Sequence, residues 1–407
     1  MAMNRCRICD GDVVEFFDFG RQPISDAFLE PGHVDDEFFF RLAIGICRFC
    51  TMVQLLEEVP RDRMFHQDYP YRSSESTFMR KHFEQVARRF LETELTGQDS
   101  FVVEIGSNDG VMLRTVSEAG VRHLGVDPSG GAADAAAASG IRVRTDFFEE
   151  SSATDIRARD GAADVIFSAN TTSHIAYVDS VFRGVDALLA DNGVFVFEER
   201  YLADILASSA FDQIYDEHFY LFSVRSVRNL AGRFGFQLVD AEHVPVHGGA
   251  IRYTIARPGQ RTQTPAIAEF LAREEAAGLT DPATFERFAT DVRTIRGDLM
   301  ELLRRLRADG RTVVGYGATA KSATAVNYCG ITEELVSFVC DSTPAKQGKL
   351  MPGSHIPVRP PSAFGDPYPD YALLFAWNHA DEIMIKEREF RESGGRWILY
   401  VPETHIV

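Results

Sequence analysis

The stretch FDQIYDEHFYLF, residues 211–222, sets Tyr215, Asp216, Glu217 and His218 inside a run of aromatic and aliphatic side chains. A plain core segment has no use for two acids and a histidine. A solvated surface has no use for Phe211, Phe219, Tyr220, Leu221 and Phe222. Proton transfer on an apolar wall accounts for both halves. Histidine titrates near neutral pH and suits the removal of a proton from carbon, and a nearby tyrosine hydroxyl can donate to an oxyanion. Helical spacing would put Phe211, Tyr215, His218 and Phe222 at i, i+4, i+7 and i+11, with Tyr215 and His218 on one face. Glu217 would then sit beside the imidazole and orient it or raise its basicity. The plainer account of His218 is a satisfied core histidine.

A second constellation is EIGSNDG, residues 104–110, of form E-x-G-x-x-x-G. It follows the apolar run Phe101–Ile105 and precedes a helical pattern from Val111. The glycines let backbone approach a ligand, and Glu104 ends the strand. Asp127 ends the next strand, where an acid accepts ribose hydroxyls. Acids beside a glycine turn suit S-adenosylmethionine, whose sulfonium and ammonium groups are cationic. Another nucleotide on the same fold is the alternative. A further turn, GYGATA at 315–320, has the form G-x-G-x-x-A, with Asp341 about one strand later. Read literally it binds NAD. Lys321 directly after it favours a nucleoside diphosphate, with phosphate on the helix start. His174, in SANTTSHI after the fourth strand, lies at the carboxyl edge where such sheets bind ligands. His247, in VHGG, has the weaker claim, because its glycines account for a turn.

Cys6-x-x-Cys9 and Cys47-x-x-Cys50 form two knuckles. Four thiolates match tetrahedral zinc and leave no open position, so the metal would be structural. Cys329 and Cys340, in apolar context, read as buried bystanders.

These groups need elements to hold them. Residues 1–70 read as short strands around the knuckles. Residues 71–258 begin with a helix, capped by Ser73 or Ser74. Alternating strands and helices follow, with the fourth strand ending at Asn170, and the segment closes on a hairpin turning at PVHGG. Five parallel units and a reversed strand describe a methyltransferase-type doubly wound sheet. Residues 259–407 read as a polar linker, two helical stretches that act as a spacer across the domains, and a smaller Rossmann-like α/β domain.

With 407 residues, two or three domains are expected. The net charge of −18 argues against nucleic acid as the main partner. No run of about 18 apolar residues suggests a membrane span, and MAMNRCRICDGD carries no apolar signal core, so a cytoplasmic protein is expected.

The motif order CxxC…CxxC, YPYRSSESTFMRKHF, VVEIGSNDG, GVDPS, SANTTSHI, QIYDEHFYLFS, PVHGGAIRY, GYGATAKS and FAWNHADEI resembles, across essentially the whole chain, the zinc-containing, S-adenosylmethionine-dependent sugar C-methyltransferases of deoxysugar biosynthesis. It is most similar to members that methylate C-3 of dTDP-linked 4-keto deoxysugars, 3-amino ones included. The resemblance implies an α/β protein with a small zinc lobe held by Cys6, Cys9, Cys47 and Cys50, a class I methyltransferase-type sheet, and a C-terminal Rossmann-like domain that helps hold the nucleotide. It implies Tyr69, His174, Tyr215, Glu217 and His218 around the sugar, with His218 the base. The cosubstrate would lie against Glu104, Gly106, Asn108, Gly110, Asp127, Pro128 and Asn170. The nucleotide-sugar would meet Tyr71, Ser73, Ser74, Arg252, Lys321 and Asn378. The chain departs from the pattern at Arg200, where many relatives have proline, and in GATAKSA, where many read GAPAKGN. The rivals are an NAD-dependent nucleotide-sugar oxidoreductase or epimerase and a zinc-ribbon nucleic-acid module. The sequence leaves the oligomeric state open, and a monomer is compatible with it.

Overall fold

A computed structural model describes residues 4–65 and 72–407; Tyr69 and Tyr71 lie outside the described residues. Three sheets carry the fold. The first is antiparallel, in the order Asn4–Arg5, Asp12–Pro23, Phe39–Cys47, Val53–Leu55 and Tyr220–Leu221. Its central hairpin pairs Val13 with Cys47 and Pro23 with Phe39, so the long excursion between the knuckles returns the second beside the first.

The fifth strand of this sheet comes from the opening stretch. Tyr220 pairs with Gln54 and Leu221 with Val53. The helix expected over 211–222 does not form. The chain makes one 3-10 turn at Phe211–Gln213, then turns, then this strand. A surface helix needs a polar face toward water. Here Phe211, Asp212, Tyr215, Asp216, Glu217, His218, Phe219 and Phe222 are all buried, so no such face exists and tertiary contacts dictate the path.

The middle sheet has seven strands, in the order Gln237–Val244, Ala250–Ala256, Leu189–Arg200, Ala163–Ala169, Phe101–Ile105, Arg122–Val126 and Val143–Arg144. Ala250–Ala256 runs antiparallel to both neighbours, as the hairpin predicted. Phe101–Ile105 is buried at every position because helices cover both faces. One of them, Thr77–Thr93, buries Met79, Phe83, Val86, Ala87 and Phe90. Its cap is Ser76, whose Oγ accepts from Met79 N at 3.3 Å, a contact of the type worth about 1 kcal/mol. Ser73 and Ser74, expected as caps, sit one step earlier in the 3-10 turn Ser73–Glu75.

The third sheet runs Val358–Arg359, Val339–Cys340, Val313–Tyr316, Tyr371–Leu374, Arg396–Leu399 and His405–Ile406, parallel except for the last pair. The spacer helix Pro282–Ala308 packs on the first lobe through Phe285, whose ring lies 4.5 Å from that of Phe16. It reaches the third lobe through Arg296, which lies 4.9 Å from the Tyr328 ring. Lobes one and three also clasp directly. Leu29 and Leu350 form an antiparallel bridge, Lys346 pairs with Asp26 at 3.1 Å, and Glu37 accepts from Gly353 N and pairs with His355 Nε2. No helix among the described residues is long and apolar enough to cross a membrane.

Candidate active site and metal centre

The three lobes enclose one cavity of about 550 Å³. At the middle-sheet end, Gly106 has φ 68° and a Cβ there would lie 2.2 Å from Thr171 Oγ1, so only glycine lets the turn pass. Asp127 accepts from Asn108 N at 2.7 Å and Ser129 N at 2.8 Å, which aims its carboxyl beside the turn. Burial raises its pKa and those N–H groups oppose the rise. Glu104 is fully buried, and its Oε2 has no hydrogen-bond partner among the described residues. Burial, then Asp127 and Asp109, push its pKa well up. An orphaned carboxyl oxygen behind a glycine turn fits a cationic ligand. Gly106, Asn108, Asp127, Pro128, Asn170 and Ser73 face the cavity. Glu104, Gly110 and Ser74 lie behind it: Gly110 opens the helix Val111–Glu118, and Ser74 N donates to Asp109.

Where the 211–222 segment meets the cavity, the wall holds His174, Tyr215 and Glu217. His218 lies directly behind, 1% exposed, its ring centroid 3.9 Å from that of Tyr215 and 5.3 Å from that of His174. Its Nδ1 bonds the Gln213 carbonyl. A carbonyl only accepts, so Nδ1 carries the hydrogen and Nε2 keeps a lone pair. That Nε2 is buried without a partner among the described residues. Burial, then Arg200 and His174, depress the His218 pKa well below the usual imidazole value. His174 falls to about 3 through burial and Arg200. The expected role of Glu217 needs correcting. Its carboxylate lies 4.0 Å from His174 Nδ1, while a backbone carbonyl orients His218.

At the third-lobe end, Asp341 accepts from Ala318 N and Thr343 N, both at 2.7 Å, closing the GYGATA turn. Lys321 bonds Asn378 and lies 4.4 Å from the Trp377 ring. Its pKa drops to about 8, through burial opposed by Asp212. Asp212 in turn accepts from Trp377 Nε1 at 2.7 Å and Tyr400 Oη at 2.5 Å. Lys321 and Asn378 therefore meet on one wall of the cavity.

Arg252 does not join them. Its Nε bonds Glu198 at 2.6 Å and its Nη1 bonds Glu242 at 3.1 Å, away from the cavity. Glu198 is fully buried and also bonds His82, so Arg252 serves as its counter-charge. Gln213, Arg200 and His247 do line the cavity. Gln213 carried no sequence signal. Arg200 stood out as a departure from the family pattern, and His247 carried the faint signal of VHGG, where its φ is 53°.

In the first lobe the four knuckle sulfurs lie within 4.8 Å of one another, with Cys6–Cys50 at 3.5 Å and Cys9–Cys47 at 3.4 Å. Four Zn–S bonds of about 2.3 Å imply sulfur–sulfur edges of roughly 3.8 Å, so the cluster fits zinc. Ile8 N and Phe49 N each point at a knuckle sulfur at 3.4 Å, which supports thiolate charge. Cys329 and Cys340 are buried elsewhere, and burial pushes both thiols up to about 12.

Three family models match in sequence. They are a "Putative zinc binding domain" over 6–65, a methyltransferase domain over 77–241 and a C-methyltransferase C-terminal domain over 245–402. The chain is 35% identical to the C-methyltransferase NovU of Streptomyces niveus over 411 residues, covering all of this chain and 97% of that one. The chain belongs to this C-methyltransferase family. The C-methyltransferase thus takes its methyl group from S-adenosylmethionine and carries a zinc-binding lobe. Among solved structures, magnesium protoporphyrin IX methyltransferase ChlM of Synechocystis PCC 6803 with bound SAH matches 44% of this chain and 83% of its own, at 11% identity and TM-score 0.34. The YcgJ protein of Bacillus subtilis matches 44% and 100%, at 14% identity and TM-score 0.35.

Proposed function

We propose that this C-methyltransferase methylates C-3 of a dTDP-linked 4-keto-6-deoxysugar, 3-amino sugars included. The observation that carries the reading is the buried Nε2 of His218, unpartnered among the described residues while Nδ1–H is held by Gln213. A neutral imidazole with one lone pair in a water-poor pocket is a base waiting for a proton. A proton on the carbon next to a ketone is acidic enough for it to take.

His218 Nε2 accepts the C-3 proton, and the C–H electron pair becomes the C-3=C-4 double bond. The carbonyl pair moves to O-4, where the Tyr215 hydroxyl donates and His174 and Tyr69 assist. When bound there, S-adenosylmethionine would supply a methyl group to C-3 and leave as S-adenosylhomocysteine with the S–C pair, while the O-4 pair returns to the C-4 carbonyl. Asp127, Gly106, Asn108, Pro128 and Asn170 hold that cosubstrate, with the Glu104 carboxyl behind them. Lys321 and Asn378 hold the diphosphate, and Tyr71 and Ser73 the sugar-nucleotide flank. Phe65 and Tyr215 help keep water from the enolate, which strengthens each polar contact there. Metal-binding thiolates suit work in a reducing cytoplasm.

The test is incubation with S-adenosylmethionine and a panel of dTDP-4-keto-6-deoxysugars, read by mass spectrometry for a gain of one methylene and by NMR for its position. Methylation at oxygen, or at a carbon not next to the ketone, would overturn the reading. The GYGATA turn also admits NAD. Calorimetry separates the two, with binding of S-adenosylmethionine and none of NAD expected.

A further inference from the structure

Strand Leu189–Arg200 ends at the carboxyl edge of the middle sheet, and its last residue is on the cavity wall. Two acids precede Arg200, and neither pairs with it. Glu198 is held by His82 and Arg252, each at 2.6 Å. Glu199 accepts from Thr171 N at 3.1 Å and Ser173 N at 2.8 Å. Arg200 Nη1 reaches Asn170 Oδ1 at 3.5 Å, and Nε is buried without a partner among the described residues. Several cations on the wall are matched, Arg61 by Glu149, Lys346 by Asp26 and Lys386 by Glu387, and Lys321 bonds Asn378 and feels the charge of Asp212. Among the described residues Arg200 makes no ion pair.

A half-buried guanidinium whose Nε is cut off from solvent without a counter-ion gains from an anion placed there by a ligand. Its electrostatic neighbours His174, His218 and His247 are buried, and their imidazoles are held neutral. The neighbouring Tyr215 phenol is neutral too. None of these four supplies negative charge; Glu199 does feel Arg200, but burial pushes its pKa up to about 7 and one of its oxygens is held by the Thr171 and Ser173 N–H groups. A cosubstrate with a sulfonium does not supply it at the reacting end either.

We propose that Arg200 is a catalytic cation that receives the oxyanion formed on the substrate carbonyl when the base removes the neighbouring proton. This rests on the enolate reading above. The proton goes to His218 Nε2, the C–H pair becomes the carbon–carbon double bond, and the carbonyl pair settles on oxygen against the guanidinium N–H groups and the Tyr215 hydroxyl. No oxidant or reductant is needed. A fixed cation here favours the charge only as it develops, so its effect falls on turnover and not on binding.

The test compares Arg200→Met and Arg200→Lys with the parent enzyme on a dTDP-4-keto-6-deoxysugar. Zinc content and S-adenosylhomocysteine affinity report folding. Arg200→Met should lower kcat, and the wash-in of solvent deuterium at C-3 with S-adenosylhomocysteine bound, by about 10²–10³-fold. Substrate KM should stay within about threefold, and Arg200→Lys should recover much of the loss. The acid limb of the pH profile should also move to higher pH in Arg200→Met. The cation that disfavours protonated His218 is then gone, while His174 with Glu217, His247, Tyr215 and the Gln213 carbonyl remain. A raised KM at unchanged kcat would make Arg200 an anchor for an anion already on the substrate and overturn the proposal. Unchanged wash-in with an active parent would remove Arg200 alone. A parent enzyme with no wash-in on any 4-keto sugar would overturn the enolate reading and this one together.

Discussion

The Nδ1 of His218 is bonded to the carbonyl of Gln213, five residues earlier in the same loop. This backbone contact selects the tautomer that leaves Nε2 basic, and it does so before any substrate arrives. A side-chain carboxylate in its place would stabilise the imidazolium. A carbonyl orients the ring with less of that effect.

His218→Asn is expected to lose the base while keeping the volume of the site. General-base assistance is worth about 10²–10⁴-fold, so turnover should fall by that order with S-adenosylmethionine affinity preserved. Single-turnover methylation and calorimetry on the same preparation would show this. Near-normal turnover would remove His218 from the role.

The pH dependence follows from the depressed imidazoles. A His pKa lowered by burial keeps the base unprotonated down to lower pH. The acid limb of kcat/KM should therefore lie below the unperturbed value of about 6.5, and activity should be flat from there through neutrality. A midpoint at or above 7 would show that the base is a different group.

Zinc removal should reach the active site. Val53–Leu55, in the sheet that carries the knuckles, pairs with Tyr220–Leu221, and Ser25 N of the same lobe holds Asp216 Oδ1 at 3.0 Å. Both contacts flank His218. Chelation, or Cys47→Ser, should abolish methylation together with metal content, while the turn at Gly106 and Asp127 still binds cosubstrate. Full turnover by metal-free protein would sever the link.

Lys321→Met should weaken the sugar nucleotide and spare the methyl donor. A charge-assisted contact is worth about 1.5–3 kcal/mol, so KM should rise by roughly 10–100-fold. Initial rates against each ligand would separate the two effects. An equal loss of donor affinity would place Lys321 outside the nucleotide end.

Much of this protein was legible in its residues because the signals are local. A CxxC knuckle, a glycine turn after an apolar strand and an acid at the next strand's tip are each set within a few residues. Their recurrence with alternating helices leaves few topologies. The reversed strand Ala250–Ala256 follows from the short VHGG turn in the same way.

Residues 211–222 were not legible. Their chemistry was plain, but their path was decided by three lobes at once. Val53–Leu55 takes Tyr220–Leu221 as an edge strand, Thr324 donates to the Ile214 carbonyl, and Trp377 and Tyr400 bond Asp212. Sequence spacing fits a segment buried on one side and says little of one buried on all sides. For the same reason Arg252 and Arg200 could not be sorted by type. Which guanidinium is neutralised and which faces the cavity depends on carboxylates brought near from other strands and helices, and only the folded chain places them.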